Sequence, residues 1–352
     1  MKHAVGIIIV LGVVVGGGFL LANGQNVDTR NGTAGLTIAT SFYPLEFAIN
    51  RIIGDQGSVI NIGAGRDPHD YEPSTQDMVA MQRADAVVLQ GADFEPWGDD
   101  VQASLKASDV PVLIATSDIT LHEGGHDHGE EDNHEDESRD DDHASEHEEE
   151  HDQEHEAGHD EESHDHEDEH EEGHSDEHEH GAYDPHTWLD PVLFSETVGY
   201  LAAEMAALDP DNADIYLANA ATLQAELAAL DTQYQTRLAN CALNEVITSH
   251  DAFGYVGDRY DFKIHAIAGL STQDTPSATT LAGLRKEAEE GIGAILLEEN
   301  SITAYGETLA RETGLQTLSL NPIAYSISAH ENYVTLMQSN LESFATALAC
   351  NE

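Results

Sequence analysis

Three well-separated histidines stand in similar local settings. His69 lies in Gly65-Arg66-Asp67-Pro68-His69-Asp70-Tyr71-Glu72-Pro73 and His186 in Tyr183-Asp184-Pro185-His186-Thr187-Trp188-Leu189-Asp190-Pro191, while His250 lies in Thr248-Ser249-His250-Asp251-Ala252-Phe253-Gly254-Tyr255. The surrounding pattern places each where a strand or loop meets a helix, the position at which open α/β sheets hold ligands. Proline stiffens the backbone before two of them, and neighbouring aspartates are placed to orient the rings by hydrogen bonding. A neutral imidazole nitrogen is a good ligand for borderline divalent ions, zinc foremost. Any one of these histidines alone reads as an ordinary structural residue; the shared setting makes the three a candidate ligand set. His265, inside an expected strand, and His330, expected at the start of the terminal helix, read as structural or surface residues.

A second group of histidines is of another kind. Fifteen fall between His122 and His180, among 30 Asp and Glu and a single Arg139, so this stretch carries −29 of the chain's −55. No apolar core can form from that composition, which predicts a disordered segment in the absence of metal. His143, His147, His151, His155 and His159 recur every four residues, as do His166, His170, His174 and His178. On a helix such pairs share a face and can chelate one ion, so zinc is expected to order the tract in part. A purely solvating polar loop is the alternative. So strong an acidic balance excludes nucleic acid as a natural partner, because phosphate binding needs clustered Lys and Arg. Cations remain; adaptation to a salty habitat is a second reading of the acidity outside the tract.

Holding isolated ligands in place requires a rigid frame. Apolar strands over 36–40, 58–62, 86–89 and 112–114 alternate with helices, one opening at Pro44 and one capped by Ser74, which predicts a parallel sheet covered on both faces. A helix over 194–208 follows the tract. The stretch 211–239 has no Gly or Pro, and Leu217, Leu223, Leu227, Leu230 and Leu238 mark its apolar face. It predicts a helix of about 40 Å. Strands over 246–248, 263–267, 294–297 and 316–318 then alternate with helices near 277–290, 303–313 and 329–349. The expected fold is α/β: two lobes with parallel sheets joined by one long rigid helix. The boundaries are 36–210 for the first lobe, with 121–181 as an insertion, 211–240 for the connecting helix and 241–352 for the second lobe. Before a 23–35 linker, Lys2 and an apolar run over 4–22 make 1–22 a signal peptide or an N-terminal anchor, and both place the bulk of the chain outside the cytoplasm. Cys241 and Cys350 suit that compartment as a disulfide, with two unrelated buried thiols as the alternative.

The stretches around His69, His186 and His250 resemble the three signature segments of the zinc/manganese solute-binding proteins of ABC importers. The likeness runs from about Thr37 to Pro322, in the same order and with similar spacing. It implies two lobes with the metal in the cleft between them, His69 and His186 coming from the first lobe and His250 from the second. Manganese members carry a carboxylate at the third position; an imidazole there favours zinc. Many members have an acidic fourth ligand where this chain reads Ser319-Leu320-Asn321-Pro322, so the position falls on Asn321. A neutral amide is a poor zinc ligand, which leaves water, a tract histidine or another carboxylate for that place. The resemblance implies a monomeric, non-catalytic protein outside the cytoplasm, in the periplasm or at the outer face of the membrane. It would capture zinc as cargo and deliver it to a membrane permease, with the tract, which zinc members often carry at this place, as a loose collector. A three-histidine zinc hydrolase or hydratase, and a passive zinc buffer, are the competing readings.

Overall fold

A computed structural model of the chain describes residues 35–123, 183–272, 274–298, 303–325 and 330–351. The expected signal or anchor lies outside the described residues, as do His143, His147, His151, His155, His159, His166, His170, His174 and His178. Among the described residues no helix is long and apolar enough to cross a membrane.

The first lobe contains β1 (Leu36–Thr40), α1 (Tyr43–Ile53), β2 (Gly57–Asn61), α2 (Thr75–Arg83), β3 (Ala86–Leu89), α3 (Gly98–Lys106) and β4 (Val112–Ile114). Its strands pair in parallel in the order β2-β1-β3-β4. All four residues of β3 are buried, as expected of a strand covered on both faces. Pro44 sits in the first turn of α1, where its missing N–H costs nothing, and Gly54 ends that helix at φ +53°. At α2, Ser74 accepts from the Asp77 N–H while Asp77 accepts from the Ser74 N–H, a reciprocal cap.

Two helices link the lobes. α4 (Pro191–Leu208) starts three residues before the expected position, because the Asp190 carboxylate caps the N–H groups of Val192 and Leu193. α5 (Ala213–Leu238) has 26 residues, about 39 Å of helix. Its buried seam is Tyr216, Ala220, Leu223, Leu227, Leu230, Tyr234 and Leu238. Leu217 does not belong to it and is 48% exposed. The seam runs through Tyr216, and the next residue is turned about 100° away from it.

The second lobe repeats the pattern with β5 (Glu245–Thr248), α6 (Gly254–Tyr260), β6 (Lys263–Ala266), α7 (Ala278–Glu290), β7 (Ala294–Glu298), α8 (Ala304–Thr313), β8 (Gln316–Leu320) and α9 (Tyr333–Ala347). The strand order is β6-β5-β7-β8, again all parallel. α9 starts at Tyr333 and not near 329, since Asn332 and Thr335 form its cap; His330 therefore precedes the helix.

α5 lies against both lobes. Near its middle Glu226 takes a two-pronged ion pair from Arg51 of α1, and in its first half Asn219 donates to the Ile52 carbonyl. Towards its end the Tyr234 hydroxyl donates to the Met337 carbonyl of α9. One apolar cluster runs through β1, α1, α4, α5, β5 and α9, so the lobes share a core. Cys241 and Cys350 are joined as a disulfide, closing the second lobe back onto the end of α5.

Candidate metal centre

Loops at the carboxyl ends of both sheets meet between the lobes. The loop from β2 to α2 carries His69. It starts close against β1: Gly63 N–H donates to the Ser41 carbonyl at 3.1 Å, and a Cβ on Gly63 would stand 2.4 Å from that oxygen. Only glycine fits there.

His186 enters from the far side of the insertion. Gln90, just beyond β3, donates through Nε2 to the Pro185 carbonyl at 2.7 Å and to Thr187 Oγ1 at 3.0 Å. The Trp188 indole donates to the Pro322 carbonyl of the second lobe, and Tyr333 donates to the Trp188 carbonyl. Phe42 and Phe94 pack tilted against each other and each meets Trp188 edge-on, forming an aromatic wall, and the His69 ring meets Phe94 at 4.8 Å between centroids. His250 follows directly from β5, and Glu298 ends the adjacent β7.

The structure brings His69, His186 and His250 together. Their ring centroids are 5.4–6.1 Å apart, and one ligand atom from each lies within 4.8 Å of the others. Tetrahedral zinc with nitrogens at about 2.05 Å needs about 3.3 Å between them, so the rings would draw in by up to about 1.5 Å around an ion. His186 and His250 are almost fully buried, and His69 is partly exposed.

Two rings are oriented by carboxylates. Asp184 Oδ1 lies 2.8 Å from His186 Nδ1 and also accepts the His186 backbone N–H. Glu298 Oε2 lies 2.6 Å from His250 Nδ1. A carboxylate on Nδ1 turns the other nitrogen, Nε2, to the centre and raises its basicity. His186 Nε2 is buried and has no hydrogen-bond partner among the described residues. Such an orphaned acceptor costs stability unless something binds it.

Electrostatics separate the three. Burial, then the charges of His186 and His250, pull His69 down to about 3. Burial and His250 hold His186 well below the ordinary histidine value. Burial lowers His250 as well, but the carboxylate of Glu298, with Asp251 and Asp67, outweighs it and holds this ring above the ordinary value. The His69 and His186 rings are therefore neutral at physiological pH, with carboxylates close by to balance a cation.

Among the described residues, the group that could hold a metal consists of these three histidines alone. Asn321 does not complete it. Its side chain accepts from the Ile323 N–H at 2.8 Å, and its backbone is paired with Asn340. His265 lies elsewhere, between Glu245 and Glu287 at 3.0 Å from each. The sequence reading passed over Glu298 and Gln90. The available signal for Glu298 was a carboxylate ending the apolar run Ala294–Glu298, since buried charges need a partner.

The model of the family described as zinc-uptake complex component A, periplasmic (ZnuA), matches residues 38–347. The zinc-binding lipoprotein AdcA of Streptococcus pneumoniae serotype 4 is 32% identical over 320 residues, 88% of this chain and 55% of that protein. The chain thus spans about half the length of the first curated relatives it matches. The high-affinity zinc uptake system protein ZnuA of Bacillus subtilis is 32% identical over 347 residues, 95% of this chain and 96% of the relative. Among solved structures, the Zn(II)-bound ZnuA-like domain of Streptococcus pneumoniae AdcA is similar at 28% identity and a TM-score of 0.66, covering 90% of this chain and 100% of that one. The laminin-binding protein Lmb of Streptococcus agalactiae reaches a TM-score of 0.70 at 25% identity, over 89% and 99% of the two chains. With both lobes inside the matched span, the chain belongs to the ZnuA family, zinc-uptake complex component A.

Proposed function

We propose that this protein captures zinc outside the cytoplasm through His69, His186 and His250 and hands it to the membrane permease of an ABC importer. The observation that carries the reading is the buried Nε2 of His186, without a hydrogen-bond partner among the described residues and set where two further imidazoles converge. Three nitrogen donors suit zinc over manganese. A site whose rings draw in by up to about 1.5 Å around an ion suits a cargo that must later leave. The names of the relatives support zinc as that cargo.

The protein acts as a monomer, with lobes over 36–210 and 241–352 held by the helix within 211–240. The tract collects zinc loosely through its regularly spaced histidines, and residues 1–22 direct or anchor the chain outside the cytoplasm. At the root of the insertion, Glu123 and Tyr183 pair as an antiparallel bridge and Asp184 N–H donates to the His122 carbonyl. Excising 124–182 therefore leaves ends that a short turn can join.

Calorimetric zinc titration of that excised variant is the test. One tight site is expected, absent after replacing His69, His186 and His250 with Ala. Loss of all binding on excision would assign the function to the tract and make the protein a zinc buffer. Hydrolysis of a nitrophenyl ester or hydration of carbon dioxide by the zinc form would make it an enzyme.

A further inference from the structure

His69 differs from the other two candidate ligands. No hydrogen bond to either of its ring nitrogens exists among the described residues, whereas His186 and His250 each have a carboxylate at Nδ1. What orders His69 is its backbone: its N–H donates to Asp67 Oδ1 at 3.0 Å. The second oxygen of the same carboxylate crosses to the other lobe. Asp67 Oδ2 accepts from the Thr272 hydroxyl at 2.8 Å and from the Tyr325 hydroxyl at 3.0 Å. These donors lie 205 and 258 residues further along the chain.

Both donors belong to segments tied to the metal centre. Thr272 is buried, and the turn before it is joined to the His250 segment, with Asp251 N–H donating to the Gly269 carbonyl at 3.0 Å. Tyr325 follows Pro322, whose carbonyl holds the indole of Trp188 beside His186. Burial, then Asp67, pushes the Tyr325 phenol far above its ordinary value, so it stays a donor at any physiological pH. Hydrogen bonds to an ionised carboxylate are among the stronger ones a protein makes.

We infer that Asp67, Thr272 and Tyr325 form an inter-lobe clasp that holds His69 in its liganding position and sets the rate at which metal leaves. Asp67 is a positioning residue, acting through His69. The clasp rests on the capture reading and deepens it. His69 is the most exposed of the three ligands and, among the described residues, the only one of them without a carboxylate on its ring, so it is the one to release first. Opening the clasp frees its loop while His186 and His250 stay in place.

The test uses the full chain loaded with one equivalent of zinc and mixed rapidly with excess EDTA, following the slowest release phase. Replacing both hydroxyl donors (Thr272→Val with Tyr325→Phe) is expected to speed that phase by about tenfold, the equivalent of one strong hydrogen bond. Thr272→Ser, which keeps a hydroxyl, should release as the parent does. In a His69→Ala background the same pair should change release by less than about twofold, because the clasp then has no ligand to hold. An equal acceleration in both backgrounds, or none in the parent, overturns the clasp while leaving the site intact. If His69→Ala itself leaves the slow phase unchanged, His69 is no ligand, and the three-histidine site fails together with the clasp.

Discussion

The two lobes share one strand order, β2-β1-β3-β4 against β6-β5-β7-β8, yet they equip the centre differently. The first supplies His69 and His186 from loops stiffened by proline, and His186 is oriented by Asp184, only two residues away. The second supplies His250 directly from a strand end, oriented by Glu298 from the neighbouring strand, 48 residues on. One lobe builds its ligand posture locally and the other builds it through the sheet. They also dock on α5 differently, the first by the Arg51–Glu226 pair and the second by the Tyr234 hydroxyl on the Met337 carbonyl of α9, with the Cys241–Cys350 disulfide just beyond the helix end. A local device survives changes elsewhere in the fold. A through-sheet device reports on the integrity of its lobe.

Four perturbations separate the lobes. Removing a ligand is the largest. His186→Ala and His250→Ala should each weaken zinc binding on the order of a thousandfold or more by competition titration, since two imidazoles cannot make a tight zinc site. A large loss for one and a small loss for the other would show that a single lobe carries the site. Next, Cys350→Ser is expected to cost about 2–5 kcal/mol of stability in urea denaturation while leaving the tight site in the folded protein. Lost zinc affinity with full folding would mean that the staple shapes the centre as well.

The orienting carboxylates come third, and here the sign of the pH response is decisive. Glu298→Gln should lower zinc affinity about 10- to 100-fold at neutral pH. His250, held above the ordinary histidine value, must shed a proton to bind, so affinity in the parent falls early as pH drops. In Glu298→Gln only Asp251 and Asp67 are left to oppose burial, so the acid limb should move to lower pH even as affinity at neutral pH falls. Asp184→Asn should weaken binding comparably without that displacement, because His186 is already neutral. In the metal-free protein the depressed values of His69 and His186 favour folding above the ordinary histidine value, and that contribution is lost as pH falls toward about 3. The smallest effect belongs to Arg51→Gln, expected to cost at most about 1 kcal/mol in thermal unfolding, because the pair with Glu226 is about a third exposed.

Much of the fold was legible because short-range chemistry dictates it. The apolar run of β3, Pro44 at the start of α1, the Ser74–Asp77 cap and the Gly54 stop are all local signals, and each element lies within a residue or two of its expected place. The misses share a cause. Residue type alone places Leu217 on the buried face, whereas packing chooses the Tyr216 seam one residue away. The start of α9 was set by Asn332 and not by the first apolar residue.

The same division holds at the centre. The sequence by itself singled out the three histidines that the fold brings together, because each carries its loop chemistry beside it. It also determined the acidic balance that excludes nucleic acid, and the tract's four-residue period of histidines. Only the tertiary structure decided that Glu298 stands behind His250, that Gln90 holds the His186 loop and that Asp67 reaches Thr272 and Tyr325. Those partners lie between 48 and 258 residues apart in the chain. No local pattern records such pairings, since they arise only where two separately folded sheets bring their carboxyl ends to one place.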